Sequence, residues 1–348
     1  MPKEKTASGR KAELLEKLNA VVPTQEQLTW QSVGFWILLN YSHSPEKPIK
    51  AARLAKICKS SGAGGVVLSI RDHITRQAVA EALQNIGLPC MEYIPEWARH
   101  IGNTRGHARS AEWSVVPTEL ENPADWDIGS RKAIQKALKA GKEIAWLPCY
   151  MPVSNRPSFE YIAKEDMYAH PLAQLLDNYY DSVGKNASLI LNVPLNPEGQ
   201  PAEQDVTTLL HLGAQLTIDF KEDLAQDSGI SATQSLDTAH RPENVLLSEG
   251  DVYWHSGAFT KPVELVLDLG DDYDVNKCVL MEHSPTGQQI ERFSLHYETP
   301  KGKWQLLKEG TTVGYKRILK FHEKRMRRLK LIITESRGFA TLDSWQCY

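Results

Sequence analysis

A polar run from Gly102 to Pro117, GNTRGHARSAEWSVVP, gathers side chains that could do chemistry within one short stretch. It sets a carboxylate beside an indole at Glu112 and Trp113, and it also holds two arginines and a histidine. Carboxylates and imidazoles can act as general acids or bases. The run suits a surface loop, a cradle for phosphate or nucleic acid, or part of a sugar pocket. The cradle is the weakest of these, because no strand, glycine loop and helix surround the run.

A second group, Asp72 and His73, directly follows the apolar run GGVVLSI. In parallel α/β folds the carboxyl end of a strand faces the active site, so this pair could contribute to a site. Asp72 could equally serve as the N-cap of the next helix, where its side chain would accept a backbone hydrogen bond. Both interpretations stay open at the level of sequence.

Several other chemistries are disfavoured by the sequence. No GxSxG, GxxxxGK[ST] or HExxH string occurs. The net charge of −3 and the pI of about 6.4 argue against a nucleic-acid surface. The basic run RMRRLK (325–330) lies in an alternating pattern and predicts a solvated strand face. Five scattered cysteines without a CxxC pair argue against a disulfide framework or a structural zinc site, and we predict neither metal nor cofactor.

The elements that must position these residues alternate between apolar runs and helical patterns. Apolar strands separated by helices predict a parallel sheet covered on both faces, either a βα barrel or an open doubly wound sheet. Only five or six strands are visible, fewer than the eight that close a barrel. The candidate strands are GFWILLNY (34–41), GGVVLSI (64–70), PCMEYI (89–94), EIAWLPC (143–149) and ASLILNV (187–193), and the candidate helices are Ile49 to Ser60, Thr75 to Asn85, Ser130 to Ala140, Pro171 to Asp181 and Gln200 to Leu216.

The length of 348 residues predicts two domains. After a polar, turn-rich segment the pattern changes to short alternating runs, VELVLDLG, NKCVLMEHS, RILKFHE and RLKLIITES among them, which predict an antiparallel β-sandwich. The predicted organisation is a helical lead at 1–22 (with a helix from Lys11 to Ala20), an α/β domain at 23–220, a linker at 221–241 and a sandwich at 242–348. The charged N-terminus lacks the apolar core of a signal peptide, which predicts a cytosolic protein or an export signal absent from this chain.

Several stretches resemble glycoside hydrolase family 29, the α-L-fucosidases. The sequence is similar to that family at VPTQEQLTWQ (22–31), GGVVLSIRDH (64–73), GNTRGHARSAEWSVVP (102–117), WLPCYMPVSNRP (146–157) and YYDSVGKNASLILNVPLNPEG (179–199), of which the last is the most specific match. The C-terminal part, with ENVLLSEGDVYWHSG and TTVGYKRILKF, resembles a discoidin-type (F5/8 type C-like) β-sandwich of the jelly-roll, galactose-binding kind.

This resemblance implies a TIM-like (β/α)₈ barrel and retaining hydrolysis of terminal α-L-fucosides from glycans. In such a mechanism an Asp attacks the anomeric carbon and a Glu serves as acid and then base, the two carboxyl groups lying about 5–5.5 Å apart. The family's nucleophile strand, roughly Trp-Phe-Asp-Gly-Ala, has no counterpart here, and only 28 residues separate His73 from Gly102. We therefore expect α/β plus all-β architecture, with an incomplete or reduced barrel followed by the sandwich.

The motifs that remain have exchanged most of their acids. Gly34 and Asn40 stand where relatives carry Glu and a sugar-binding His, and Thr104 takes the Glu position of the Gly-Asn-Glu segment. Tyr150 and Pro152 replace another Glu and Asp, while Ser154, Arg156 and Pro157 remain. A missing nucleophile stops the covalent route. The resemblance therefore predicts a catalytically impaired copy.

Three hypotheses remain open: an active fucosidase with an altered acid pair, a carbohydrate-binding or scaffold protein derived from one, and a remnant whose open sheet edges would favour oligomers or aggregation. The expected partners are fucosylated or other glycans, not nucleic acid or membrane, and family resemblance favours a periplasmic or extracellular location. Among the carboxylates able to substitute, Glu92, Glu96 and Glu112, the last is the candidate acid, with His73 as a second catalytic candidate. The candidate substrate-binding residues are Asn40, Asp72, His73, Trp113, Trp146 and Arg156, and the candidate sugar contacts of the sandwich are Tyr253, Trp254 and His255, although core packing is the favoured interpretation of Trp254.

Overall fold

The computed structural model describes residues 35–43, 45, 48–92, 115–117, 144–146, 149–185, 187–247, 252–283, 286 and 288–348. The helices predicted at Lys11 to Ala20 and Ser130 to Ala140 lie outside these residues. In the part described, no helix combines the length and the apolarity that a membrane span requires.

The first half is built around a five-stranded parallel sheet. Its three central strands are apolar because both of their faces are almost fully buried. Two short strands, β4 and β5, lie outside this sheet and pair with each other in antiparallel fashion. In chain order the strands are β1 (Trp36–Tyr41), β2 (Gly65–Ile70), β3 (Cys90–Glu92), β4 (Val115–Pro117), β5 (Ile144–Trp146), β6 (Cys149–Ser154) and β7 (Ala187–Pro194).

The order of strands across the parallel sheet is β3-β2-β1-β7-β6. The chain steps from β1 through β2 to one edge at β3, re-enters at the opposite edge with β6, and steps with β7 back to β1. Every step between neighbours therefore runs in the same direction across the sheet. In a doubly wound sheet the direction reverses at a switch point, so this order excludes that alternative.

Four helices pack on one face of the sheet. They are α1 (Ala51–Ser60), α2 (His73–Gln84), α3 (Leu172–Ser182) and α4 (Glu203–Asp219). Their buried apolar residues share a core with alternate strand residues such as Ile37, Leu39 and Val66. Trp36, Leu38 and Val67 point to the opposite face and form a separate buried cluster. Among the described residues, the helices cover one face rather than the two that the sequence predicts.

The prediction that EIAWLPC (143–149) is a parallel strand is wrong. Its centre, Ile144–Trp146, is β5, and the strand of the parallel sheet is the next segment, β6, which contains Pro152. A proline within a run argues against a central strand, but β6 is an edge strand, where a missing N–H does not interrupt the ladder.

Among its described residues, the regular elements of the second half are strands and short 3₁₀ turns, such as the turn at Pro242–Leu246. The separate short strands predicted for it are wrong in two places, since VELVLDLG and NKCVLMEHS belong to one strand of 19 residues and RILKFHE and RLKLIITES to one of 20. The strands are β8 (Gly229–Ala232), β9 (Trp254–His255), β10 (Val263–Met281), β11 (Ile290–Glu298), β12 (Trp304–Gly310), β13 (Arg317–Ser336), β14 (Thr341–Leu342) and β15 (Ser344–Cys347).

The long strands β10 and β13 form the centre of a six-stranded antiparallel sheet. Their pairing is irregular between Asp268 and Tyr273, where the polar DDYD segment interrupts the apolar alternation. The basic RMRRLK run lies on β13 and faces acids on neighbouring strands, with Arg327 bound to Asp268 at 2.7 Å and Lys330 to Glu264 at 3.0 Å. The predicted solvated strand face is therefore confirmed.

The two halves meet at the segment DSVGKN (181–186). Ile318 N–H donates to the Gly184 carbonyl at 2.9 Å, and a Cβ added at Gly184 would lie 2.4 Å from the Tyr180 carbonyl oxygen. The Tyr180 hydroxyl binds Asp219 at 2.5 Å, and the Lys320 ammonium lies 3.8 Å from the centre of the Tyr180 ring. Glycine is needed at this position mainly because of the local backbone contact with Tyr180, and Ile318 Cβ of the β half, 3.2 Å from the added Cβ, leaves little further room.

Candidate functional site

The carboxyl-terminal edge of the parallel sheet brings together part of the predicted site. Asn40 lies near the end of β1, Asp72 and His73 follow β2, and Arg156 follows β6. Trp146 belongs to β5, outside the parallel sheet. The candidates Glu112 and Trp113 lie outside the described residues, as does Glu96. Four of the predicted positions, Asn40, Asp72, His73 and Arg156, therefore lie at this edge.

Two buried amides form the centre of this edge. Asn40 and Asn192 both donate from Nδ2 to the Phe159 carbonyl, at 3.0 and 2.8 Å, and Asn192 also binds Ser154 Oγ at 3.2 Å. Because β1 and β7 pair Leu38 with Asn192, both amides point to the face opposite the helices. The Asn192 amide oxygen is buried without a hydrogen bond in the described part of the chain. Sequence reasoning found Asn40 and missed Asn192 as a site residue, although LILNVP placed it in a strand.

A loop after β6, residues 155–171, folds over these amides. Ser154 Oγ donates to the Ser158 carbonyl at 2.7 Å, and both the amide and the hydroxyl of Ser158 donate to Glu165, at 3.1 and 2.8 Å. These contacts fix the loop with apolar side chains turned to solvent. Its exposed large side chains are Phe159 (42%), Met167 (78%) and Tyr168 (64%).

Arg156 lies beneath this loop and is fully buried. Its guanidinium binds Asp205 of α4 and, at 3.2 Å, Asp166 of the loop. Burial raises the pKa of the Asp205 carboxyl, while the hydrogen bonds and positive charge of Arg156 act in the opposite direction. Arg156 was predicted as a substrate-binding residue. The structure instead gives it a bracing role between β6, the loop and α4, because no part of the side chain reaches the surface.

Asp72 is the N-cap of α2, as one of the two sequence interpretations has it. Its Oδ2 accepts a hydrogen bond from Thr75 N–H at 2.7 Å, and this bond lowers the pKa of the Asp72 carboxyl. A carboxyl group that stays ionised is unsuited to donate a proton. His73 is exposed on the first turn of α2, beside a cavity of about 350 Å³ between α2 and the edge strand β3 that is also lined by Arg76 and Cys90.

A second exposed carboxylate, Glu198, lies in the turn after β7 and was not singled out from the sequence. Burial raises the pKa of Tyr41, and the negative charges of Glu198 and Asp72 add to that effect. The Tyr41 hydroxyl donates to the Pro197 carbonyl at 2.9 Å. Glu198 and Asp72 therefore share one electrostatic environment at the ends of β7 and β2.

An aromatic patch occupies the surface of the β half. Tyr253 stacks on His283 with ring centres 3.7 Å apart, and His240 meets the Tyr253 ring edge-on at 4.9 Å. His255 stacks on Phe339 at 4.5 Å. We call these five residues the aromatic patch. Sequence reasoning found Tyr253 and His255 but missed the other three, which lie far away along the chain.

Trp254, predicted with Tyr253 and His255 as a sugar contact, is fully buried, and the alternative of core packing is the one confirmed. Its indole N–H donates to the Gln234 carbonyl and to Ser235 Oγ, at 3.2 and 3.1 Å. Neighbouring residues of a strand point to opposite sides, so burial of Trp254 turns Tyr253 and His255 towards the surface.

The two outer imidazoles of the aromatic patch have defined partners. His255 Nδ1 accepts a hydrogen bond from Gly257 N–H at 2.8 Å, which assigns the proton of the neutral ring to Nε2. His240 Nδ1 lies 2.9 Å from the Asp237 carboxylate. Burial lowers the pKa of His255, and the nearby His240 charge lowers it further. The patch thus combines aromatic faces with a ring N–H donor. Among the described residues, no cluster of His, Cys, Asp and Glu is arranged to hold a metal ion.

Two plant proteins match the chain in sequence. Alpha-L-fucosidase 1 of Arabidopsis thaliana is 34% identical over 248 residues, which cover 69% of this chain and 47% of that protein. The chain is related to the α-L-fucosidases. A protein of Oryza sativa subsp. japonica with the same α-L-fucosidase 1 designation is 32% identical over 197 residues, which cover 56% of this chain and 38% of the rice protein. The chain thus spans less than half the length of either plant relative. No protein-family model matches it.

Solved structures of the α-L-fucosidase type share the fold of this chain. The crystal structure of SpGH29 aligns with a TM-score of 0.74 at 18% identity and covers 94% of this chain and 97% of that one. A Bacteroides thetaiotaomicron protein aligns at 0.72 with 15% identity and the same coverage. The Ruminococcus gnavus GH29 fucosidase in complex with fucose aligns at 0.66 with 15% identity, covering 93% and 94% of the two chains. At these identities the likeness shows the fold alone.

Proposed function

We propose that this chain is an α-L-fucosidase-like protein of glycoside hydrolase family 29 that binds terminal α-L-fucosides or related glycans and is impaired in hydrolysing them. The observation that carries the proposal is the state of the carboxylates at the sheet edge. Asp166 and Asp205 share Arg156, Glu165 holds Ser158, and Asp72 caps α2. Each of these four acids is engaged in supporting the fold.

The strand order supports a reduced barrel as the scaffold. Steps in one direction and helices on one face are what an arc of a (β/α)₈ barrel would have, with β6 and β7 as its last strands and the middle strands absent. Alternating burial along β11 supports a sandwich-like second domain, since such strands bury one face in a core. We keep the division into domains at 23–220 and 242–348 as part of this proposal.

The groups at the edge suit a sugar ring. Polar amides in a concave setting, next to apolar side chains, are the usual lining of small-molecule sites. Asn40 supplies the polar part, and the fully buried Asn192 beside it shares its hydrogen bond to the Phe159 carbonyl. Phe159 and Tyr168, exposed on the loop above, could cover the apolar face of the ring.

Hydrolysis by the retaining route requires a nucleophile and an acid about 5–5.5 Å apart. Asp166 or Asp205 could serve only after leaving Arg156, and removing one partner of a buried ion pair is strongly unfavourable. Asp72 cannot act as the acid because its hydrogen bond to Thr75 holds it ionised. The engagement of Asp72, Asp166 and Asp205 in the fold therefore favours binding without turnover.

The test pairs an activity assay with calorimetry on the full chain. We expect an aryl α-L-fucoside to be hydrolysed no faster than in buffer, while L-fucose or a fucosylated oligosaccharide binds. Tyr168→Ala should weaken that binding several-fold, whereas Leu306→Ala, an exposed apolar residue of the β half, should leave it unchanged. Turnover above buffer, or the absence of any binding, would contradict the proposal.

A second candidate, an active fucosidase that uses Glu112 as its acid, is favoured by the 34% identity to the Arabidopsis protein. This candidate predicts turnover in the unaltered chain and a loss of at least about 100-fold in Glu112→Gln, because general acid catalysis contributes at least that much. Glu160→Gln, at an exposed carboxylate of the loop 155–171, is the matched control. Equal rates for both variants would eliminate this candidate.

The aromatic patch is proposed as a second glycan contact, in keeping with the sugar contacts predicted at Tyr253 and His255. Half-exposed aromatic faces beside a hydrogen-bond donor are suited to the apolar and polar sides of a sugar ring. The patch and the sheet-edge residues lie in different halves of the chain, so each can be altered separately.

A further inference from the structure

Two cysteines that are 69 positions apart in the sequence lie side by side in the β half. Cys278 is on β10 and Cys347 on β15, and the two residues are directly opposite each other in the antiparallel ladder. Both side chains are fully buried, and their Sγ atoms are 3.3 Å apart. The scattered spacing that argued against disulfides in the sequence does not reveal this pair.

The backbone around the pair has the geometry that a disulfide requires. The neighbouring pair, Lys277 and Tyr348, exchanges two N–H···O bonds of 3.1 and 2.9 Å. Antiparallel pairs alternate, so Cys278 and Cys347 form a pair without mutual hydrogen bonds, and such pairs have Cα atoms about 4.5 Å apart. That separation lies within the range of about 4.4–6.8 Å observed for disulfides.

The N–H and C=O groups of Cys347 point away from β10, as expected for a residue of a non-hydrogen-bonded pair. Its N–H donates to Asp223 Oδ1 at 2.9 Å, and its carbonyl accepts from Leu224 N–H at 2.9 Å. The two side chains consequently project on the same side of the ladder, with their Sγ atoms already 3.3 Å apart.

We propose that Cys278 and Cys347 form an intrachain disulfide when the chain folds in the presence of a small-molecule disulfide oxidant such as oxidised glutathione. One thiolate attacks a sulfur of the oxidant, giving a mixed disulfide and one glutathione thiolate. The second cysteine thiolate then attacks the protein-bound sulfur of that mixed disulfide and releases the second glutathione. Overall the two protein thiols lose two electrons and two protons, and the oxidant becomes two thiols.

Folding is the step at which this exchange is fastest. Burial raises the pKa of the Cys347 thiol well above its ordinary value, and the neighbouring Cys278 sulfur adds to this effect. Because the thiolate is the reactive form, exchange in the folded protein must await opening of the last strand. Once formed, the bond would be protected from reductants by the same burial.

The bond would act at the junction between the two halves. Besides the contacts of Cys347 with Asp223 and Leu224, the ring of Tyr348 packs edge-on against Phe220 at the end of α4, at 5.1 Å. A covalent bond to β10 would hold the last strand, and with it the connecting segment 220–225, in place. A cross-link that closes a long loop restricts the unfolded chain, so we expect an increase of about 5 °C or more in Tm.

The test uses the full chain, folded once with reduced and once with oxidised glutathione, then denatured with an alkylating agent and digested. After oxidation we expect one linked peptide pair that contains Cys278 and Cys347, with Cys58, Cys90 and Cys149 alkylated. Alkylation of both Cys278 and Cys347 after oxidative folding would overturn the proposal, as would linkage of either one to another cysteine. This measurement requires no variant and does not depend on any activity.

Matched variants separate the bond from general oxidation effects. Cys278→Ala and Cys347→Ala should each abolish the difference in Tm between the oxidised and reduced protein. Cys58→Ala, at a buried cysteine of α1, should retain it. A difference in Tm that persists in Cys347→Ala would show that another thiol is responsible.

Discussion

The carboxyl-terminal edge of the parallel sheet and the aromatic patch of the β half use their reactive side chains in opposite ways. At the edge, the guanidinium of Arg156 is buried between two carboxylates, and Asp72 is bound to the backbone of α2. In the aromatic patch, the rings of Tyr253 and His255 are half-exposed and supported from one side by other rings. Charged residues near strand ends can thus serve to stabilise the fold, while uncharged rings remain partly exposed.

The largest expected effect removes the charge that holds the edge together. Arg156→Met should lower the free energy of unfolding by about 3–5 kcal/mol, because it leaves the buried Asp205 carboxylate without its partner. Denaturant unfolding measures the change. Arg327→Met is the control, since Arg327 pairs with Asp268 at the surface and should contribute at most about 1 kcal/mol. Equal losses of unfolding free energy in the two variants would show that the buried ion pair contributes no more than the surface pair.

A pH titration compares this buried charge with one in the β half. Glu282 accepts three backbone hydrogen bonds, from Gln289, Ile290 and Gly314, yet burial raises its pKa to about 7. A folded-state pKa above the unfolded value of 4.5 means that stability is full below pH 4.5 and falls as the pH rises to about 7. The loss attributable to Glu282 should be about 3 kcal/mol.

The variant Glu282→Gln isolates that loss, because its amide oxygen can still accept two of the three bonds but does not titrate. Thermal or urea unfolding at several pH values should give a flatter profile between pH 4.5 and 7 in the variant. Since Asp205 and His255 titrate in both proteins, their contributions cancel in the difference. Identical profiles would show that the pKa of Glu282 is the same in the folded and the unfolded protein.

A smaller effect tests whether the aromatic patch is open to ligands. Tyr253→Ala should weaken glycan binding by the β half about tenfold, since a lost aromatic contact of this kind is worth up to about 1.4 kcal/mol. Calorimetry against a panel of fucosylated oligosaccharides measures it. Tyr273→Ala, at an exposed tyrosine of β10 outside the patch, should change nothing. If both variants bind as well as the unaltered chain, the patch takes no part in glycan binding.

The smallest expected effect concerns Asp72. Asp72→Ala should lower the free energy of unfolding by about 1 kcal/mol because α2 loses its N-cap, while Asp72→Asn should keep most of that stability. Urea unfolding distinguishes the two. If Asp72→Asn folds normally but no longer binds fucose, the carboxylate has a role at the site beyond the cap, and the sheet edge is less passive than its contacts indicate.

Much of the α/β half could be predicted because its strands and helices are encoded locally. The runs at β1, β2 and β7 are mainly apolar, and in the helices after them apolar residues recur with the period of a helix. The strand β6 was missed because Pro152 is unfavourable in a central strand and only the tertiary arrangement makes it an edge. The continuity of β10 was missed for a related reason, since the polar DDYD segment resembles a turn in one dimension.

The site was harder to predict because function depends on which side chains meet. Arg156 was a candidate because it remains in a motif of the resemblance, and Trp254 because it lies between Tyr253 and His255, yet both side chains are fully buried. The aromatic patch joins residues from 240 to 339, and no spacing rule connects them. The N-cap of Asp72 could be foreseen because it depends on a backbone amide only three residues away.

The closely packed backbone at Gly184 changes how the DSVGKN segment can be used in sequence comparison. This segment is part of the most specific match to the fucosidases, yet in the structure it joins the two halves, with Gly184 accepting a hydrogen bond from Ile318. Selection on such a segment would preserve the assembly of the protein whether or not it turns over a substrate. The presence of this segment in a chain therefore indicates that the two halves assemble, whereas hydrolytic activity has to be judged from the catalytic carboxylates.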